Sequence, residues 1–275
     1  MDIVSHEIIA HIHSPSNFAF YGHGQFSSDG RLLYSTGIHN KDRRTREYGM
    51  GRIFVYDFKN HSLDKIYDSF GFYAHDCCLM NDGKEIFILN TSEEFSSNHQ
   101  TTKSQRPSMV VINSNNGSLI KKVHKDTHIR LGHIQKYRNK QLILSGAKMT
   151  GKTSLDSSPK IVMIGKKFDV IYESNLDEDK GYFLSTAYNS KYDLVGFTNP
   201  EKNEVLLMNI HTKKILKRVK IQSPHGIDFT SNGNLVFISS QYGIDLVDVN
   251  TLETSIKFGL KNQNFRSHAK IVTLN

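Results

Sequence analysis

Short apolar runs alternate with polar turns along almost the whole chain, and the alternation keeps a fixed internal order. Turn signals stand at Asp29-Gly30, Asp82-Gly83, Arg138-Asn139, Ser190-Lys191 and Asn232-Gly233. Each is followed by an apolar run: Leu32-Leu33-Tyr34-Ser35, Ile86-Phe87-Ile88-Leu89, Leu142-Ile143-Leu144-Ser145, Leu194-Val195-Gly196-Phe197 and Leu235-Val236-Phe237-Ile238. An Asx-Gly pair between apolar runs is the strongest short-range hairpin signal. A further apolar strand then appears in each unit, as in Ile53-Phe54-Val55-Tyr56-Asp57, Met109-Val110-Val111-Ile112 and Glu204-Val205-Leu206-Leu207-Met208. A polar turn leads to a fourth, more charged strand, suited to an exposed outer edge.

Four antiparallel strands recurring every 40 to 60 residues or so have the period of a propeller blade. The reading is an all-β protein, a β-propeller forming one domain over 1–275. Five complete four-stranded antiparallel blades fall at about 21–69, 72–124, 131–175, 182–221 and 224–258. The N-terminal run 3–12 reads as a lone outer strand and Ala269–Leu274 as a lone inner strand, so the two termini share one incomplete blade. Loops at 92–106 and 148–159 are long enough to overhang one channel end.

Composition narrows the function classes. No run approaches 18 apolar residues, so no membrane span is expected. The N-terminus carries neither a basic nor an apolar signal-peptide region. The net charge of +8 is dispersed, and its two local clusters, 41–46 and 213–220, lack the interleaved aromatics of a nucleic-acid stacking surface, so no nucleic acid is expected. Two adjacent cysteines, Cys77 and Cys78, exclude a disulfide framework and read as small buried hydrophobes.

The most informative chemistry is a repeated histidine. His23, His75, His133, His225 and His268 stand just before or at the start of the first strand of their units. In a radial fold, equivalent positions form a ring about the axis, so these imidazoles are expected to converge. The fourth unit has Phe183, Leu184 and Ser185 there instead. Neutral imidazole suits Zn, Cu and Fe, and bonds of about 2.0–2.1 Å demand close placement. His23, His75 and His133 come from consecutive units and form the preferred trio. A structural alternative stays open, in which a ring nitrogen bonds the backbone of the next unit.

The stretch Phe20-Tyr21-Gly22-His23-Gly24-Gln25-Phe26-Ser27-Ser28-Asp29-Gly30-Arg31-Leu32-Leu33-Tyr34 closely resembles the signature of a bacterial propeller family, domain-of-unknown-function family 1513. Agreement continues through Gly51–Asp57, Ala74-His75-Asp76, Asn81–Lys84 and Pro107–Val110. The resemblance implies a propeller of about seven blades, usually periplasmic, often encoded beside imelysin-type iron-uptake proteins, with no activity established. This chain departs from it by lacking the export signal and roughly the first blade and a half, and by having Asp76 where the family tends to glutamate. A periplasmic location follows from the resemblance, and a cytoplasmic one if the N-terminus is genuine.

Three functions follow as expectations. The first is non-catalytic binding of a transition metal (Cu, Fe or Zn) or a small ligand at the five histidines, linked to bacterial iron physiology. The second is an interaction scaffold whose channel-end loops take a protein partner. The third is a lactonase-like enzyme, for which no nucleophile elbow or acid quartet is found. The spacing Gly146…Gly151-Lys152-Thr153 matches a phosphate loop only as a pattern, because strands flank it where a strand and a helix are required.

Overall fold

The computed structural model describes residues 11–40, 47–92, 107–123, 129–138, 141–149, 157–164, 168–174, 181–240, 242–251 and 253–259. The chain divides into two compact units, Met1–Asp126 and Thr127–Asn275. Both are built from antiparallel strands. No helix among the described residues is long and apolar enough to cross a membrane. The terminal strands expected at 3–12 and 269–274 lie almost wholly outside the described residues, as do 93–106 and 150–156; residues 11 and 12 are not in a strand.

In the first unit a seven-stranded sheet runs in sequence order: β1 (Phe18–Phe26), β2 (Leu32–His39), β3 (Met50–Asp57), β4 (Ser62–Met80), β5 (Glu85–Ser92), β6 (Ser108–Asn113) and β7 (Leu119–Val123). The sequence pattern separates two repeats near residue 70, but β4 runs through the break. Its first half pairs with β3, from Asp57↔Ser62 to Arg52↔Asp68, and its second half with β5, from Phe72↔Ser92 to Met80↔Glu85. The bend is made by Phe70 and Tyr73 at positive φ (54° and 56°) rather than by a loop.

The second unit holds three four-stranded sheets. They comprise β8 (Ile129–Arg138), β9 (Gln141–Met149), β10 (Ser157–Ile164) and β11 (Phe168–Glu173); then β12 (Thr186–Asn189), β13 (Leu194–Asn199), β14 (Glu204–Asn209) and β15 (Ile215–Lys220); then β16 (Pro224–Phe229), β17 (Leu235–Ser240), β18 (Gly243–Asp248) and β19 (Thr254–Gly259). Part of the loop expected at 148–159 is ladder instead, since Ser157 pairs with Met149 and Ser158 with Lys148.

Burial follows the hydropathy gradient. β13 is buried along its whole length and β14 nearly so, whereas four of six positions of β15 are exposed. A strand covered on both faces reads as a continuous apolar run, and a charged outer strand discourages edge pairing. Ile53, Val55, Cys77, Leu79, Ile86, Ile88, Val110 and Ile112 form one core in the first unit. Val205, Leu207, Ile227, Val236, Ile238 and Val247 form one in the second.

One ion pair recurs at the same register. Arg52, Lys160 and Glu204 lie opposite Gly37, Gly146 and Asn199 of their second strands. Each reaches the outer strand: Arg52 to Asp68 at 3.3 Å, Lys160 to Glu173, and Glu204 to Arg218 at 2.8 Å and Lys220 at 3.2 Å. The charge order is reversed in the third case, so the cross-strand position specifies opposite charge and not a particular residue.

Hairpin turns carry the acid sensitivity of the fold. The Tyr188 hydroxyl, with His211 beside it, holds the Asp193 carboxyl below its ordinary range. The backbone N–H groups of Thr251 and Asn250 do the same for Asp248. A depressed folded value adds stability above the unfolded value, 3.8 for these groups, and loses it as pH falls through the folded value. The melting temperature is therefore expected to fall below about pH 4, and less steeply in Asp248→Asn. Parallel melting curves of the two proteins from pH 7 to pH 2 decide it, an identical acid slope being the contrary result.

Candidate metal centre

Among the described residues, each strand that carries a repeated histidine is interrupted at that residue. Between Phe20↔Gly37 and Gly24↔Ser35, three residues of β1, Tyr21, Gly22 and His23, face one residue of β2. His75 is the extra residue between Ala74↔Asn90 and Asp76↔Leu89. Gly132 and His133 fall between Leu131↔Gly146 and Ile134↔Leu144, and His225 between Pro224↔Ser240 and Gly226↔Ser239. A bulge turns the chain locally and re-aims a side chain, and bulges concentrate beside functional sites.

A buried hydroxyl on the second strand stands opposite the bulges at His23, His133 and His225, whereas the His75 bulge faces Leu89 and Asn90. Thr36 Oγ1 donates to the His23 carbonyl at 2.9 Å and to the His75 carbonyl of the following repeat at 3.3 Å. Thr198 Oγ1 donates to the His225 carbonyl at 3.1 Å and accepts from the Ser185 N–H at 3.1 Å. Ser145 Oγ accepts from the His133 N–H at 3.2 Å and donates to the Leu184 carbonyl at 2.9 Å. Ser239 Oγ accepts from the Gly226 N–H at 3.0 Å. Thr36, Ser145 and Thr198 thus join one repeat to the backbone of the next.

This pattern identifies Leu184, not Phe183 or Ser185, as the fourth repeat's counterpart of the histidines. It also locates the repeated architectural link on the backbone carbonyl, which leucine provides as well as histidine. Thr198→Val keeps the shape and removes the link, leaving a buried carbonyl and the Ser185 N–H without this partner. A loss of about 1–3 kcal/mol is expected in urea unfolding. An unchanged midpoint would deny the hydroxyl this role.

Glycine precedes two of the histidines for a steric reason. A Cβ on Gly22 would lie 1.8 Å from the His75 carbonyl oxygen, and one on Gly132 would lie 2.8 Å from the Leu184 carbonyl oxygen. The close approach of neighbouring first strands brings the half-buried rings of His23 and His75 together, centroids 5.3 Å apart and perpendicular. Their ligand nitrogens lie within 4.8 Å. Two nitrogens on opposite sides of one metal stand about 4.2 Å apart at most, so small ring rotations suffice to share an ion. Among the described residues, no carboxylate or thiolate joins this donor group.

Tyrosines flank the pair. The Tyr21 ring packs on His75 (6.3 Å, nearly perpendicular) and on Tyr73 (5.6 Å). Tyr73 donates its N–H to Gly49 and accepts at its carbonyl from Thr91 Oγ1. Burial, with Tyr48 and Tyr21 nearby, pushes the Tyr73 phenol above its ordinary value.

The other expected residues belong to the second unit, Thr127–Asn275. His133 is buried on β8, in its own bulge. His225 is half-buried on β16, and its Nδ1 lies 2.8 Å from the Ser223 carbonyl. A carbonyl only accepts, so Nδ1 carries the hydrogen and Nε2 keeps its lone pair for a ligand. His268 lies outside the described residues. The Ser/Thr series was missed on reading the sequence, although a hydroxyl closing an apolar strand at positions 36, 145, 198 and 239 is a signal of the same kind as the histidines.

Fold and site together define an all-β, propeller-like repeat protein that presents imidazoles from bulged first strands. The chain belongs to the family described as protein of unknown function (DUF1513), whose model matches residues 1–271. No curated protein matches the sequence. Among solved structures it is similar to the β-propeller domain of Cps50 (Swd1) from Myceliophteria thermophila, at 12% identity and TM-score 0.56, over 85% of this chain and 67% of that one. It is similar also to Kuenenia stuttgartiensis hydrazine synthase, at 12% identity and TM-score 0.63, over 83% of this chain and 71% of that one. At such identity the likeness concerns the fold.

Proposed function

We propose that this protein is a non-catalytic metal-binding propeller. The five four-stranded repeats are its blades, the two chain ends supply a further shared blade, and His23 and His75 hold a transition metal (Cu, Fe or Zn) with His133 as third ligand. The observation that carries the reading is the contrast at the repeated position. Its link to the next repeat runs through a backbone carbonyl, and Leu184 makes that link, so the link itself does not call for an imidazole. The closeness of the His23 and His75 nitrogens supports the same reading. His133 enters by its equivalent place, in a first-strand bulge opposite the hydroxyl of Ser145.

Elemental analysis tests the proposal on protein produced without a polyhistidine tag and incubated separately with copper, iron and zinc salts. About one equivalent of one metal should survive gel filtration, as a single shared site requires. Protein that remains metal-free after all three incubations overturns it.

A further inference from the structure

We infer that the His23–His75 centre selects monovalent copper over divalent metals, with the rings of Tyr21 and Tyr73 as its aromatic flank. The inference rests on the proposed metal site and specifies its ligand. Three features lead to it.

The first is the charge of the donors. The donor group holds imidazoles and, among the described residues, no carboxylate or thiolate. Neutral donors leave an ion's charge uncompensated, and the cost of removing an ion from water grows as the square of its charge, so a dication pays about four times what a monocation does. Structural zinc sites usually offset that cost with thiolates, and iron sites with carboxylates.

The second is the small number of donors. Two imidazoles meet at the strand junction, and the proposed third makes three. Zinc takes four ligands as a rule. Monovalent copper, a filled-shell soft ion, is satisfied by two or three. The His23 and His75 nitrogens lie within 4.8 Å of each other, close enough for the two to serve one ion.

The third is the flank itself. Tyr21 lies in the same bulge as His23 and touches the rings of both His75 and Tyr73. Tyr73 is held at φ 56°, a conformation unusual for a bulky residue, two positions before His75. Room for its ring depends on Gly49, where a Cβ would lie 2.6 Å from the ring. Strain of this kind persists where the surroundings over-determine it, as at ligand sites. An aromatic face stabilises a monocation by its quadrupole and contributes nothing to the further ligands a dication demands.

The test uses the full untagged chain under anaerobic conditions. Monovalent copper, kept reduced with ascorbate, is titrated in competition with bathocuproine disulfonate, and zinc(II), iron(II) and copper(II) are titrated against their own chromophoric chelators. Monovalent copper should bind most tightly. Tyr21→Leu should weaken it by about tenfold, a mid-range cation–π contribution, while Tyr21→Phe keeps the wild-type affinity. Circular dichroism checks that both variants remain folded. Tighter binding of any divalent ion, or equal monovalent copper affinity in Tyr21→Leu and wild type, overturns this inference and leaves the metal site standing. No binding of any of the four ions overturns both.

Discussion

Gly22→Ala is expected to destabilise the protein by about 3 kcal/mol or more, at the upper end of overpacking costs. The added methyl would lie 1.8 Å from the His75 carbonyl oxygen, 2.6 Å from its carbon and 2.9 Å from its Cα. All three are backbone atoms, so no side chain can rotate away. Relief requires separating β1 from the second half of β4, and that separation also pulls the His23 and His75 rings apart. Gly30→Ala is the control. Nothing lies within 4 Å of its Cβ, and only the positive φ of 70° is strained, so about 1 kcal/mol is expected there. Urea unfolding measures both, and equal losses at the two sites would show that the close approach at Gly22 is not tight.

His75→Leu is the sharpest separation of architecture from chemistry, because leucine is the residue the fourth repeat already carries at Leu184. The backbone link from Thr36 to residue 75 does not depend on the side chain. Stability should stay within about 1 kcal/mol of wild type, the ordinary range for a substitution that preserves packing. Metal affinity should fall by about 100-fold or more, at least what removal of an outer-shell partner costs, because a direct ligand is lost. Isothermal titration and urea unfolding on one preparation give both numbers. Retained affinity would move the metal elsewhere; a large stability loss would make His75 a packing residue.

The repeats were legible because hairpin chemistry is local. Asp29-Gly30, Asp82-Gly83 and Asn232-Gly233 place Gly30, Gly83 and Gly233 at positive φ, between the strands the apolar runs suggested. The histidine series was legible for a similar reason, since one residue type recurs at one offset. What the pattern could not supply was register. A bulge adds a residue without changing hydropathy, so Phe183, Leu184 and Ser185 were equal candidates until the Ser145 bond to the Leu184 carbonyl separated them. Nor could it show that β4 is continuous. Phe70 and Tyr73 carry no turn signature, and their backbone is bent by tertiary bonds such as Tyr73 N–H to the Gly49 carbonyl. The flank of Tyr21 and Tyr73 was hidden for the same reason, because it depends on how two first strands approach each other.

The unbroken course of β4 bears on how the first unit comes apart. Nineteen residues serve two neighbouring ladders, and Phe72 pairs in both, with Met50 of β3 and with Ser92 of β5. Loss of the pairing with β3 frees half of a strand whose remainder still anchors β5, so partial opening is penalised from both sides. The first unit thereby gains cooperativity at the place where its two imidazoles meet. A ligand bound there would brace a seam that already resists fraying.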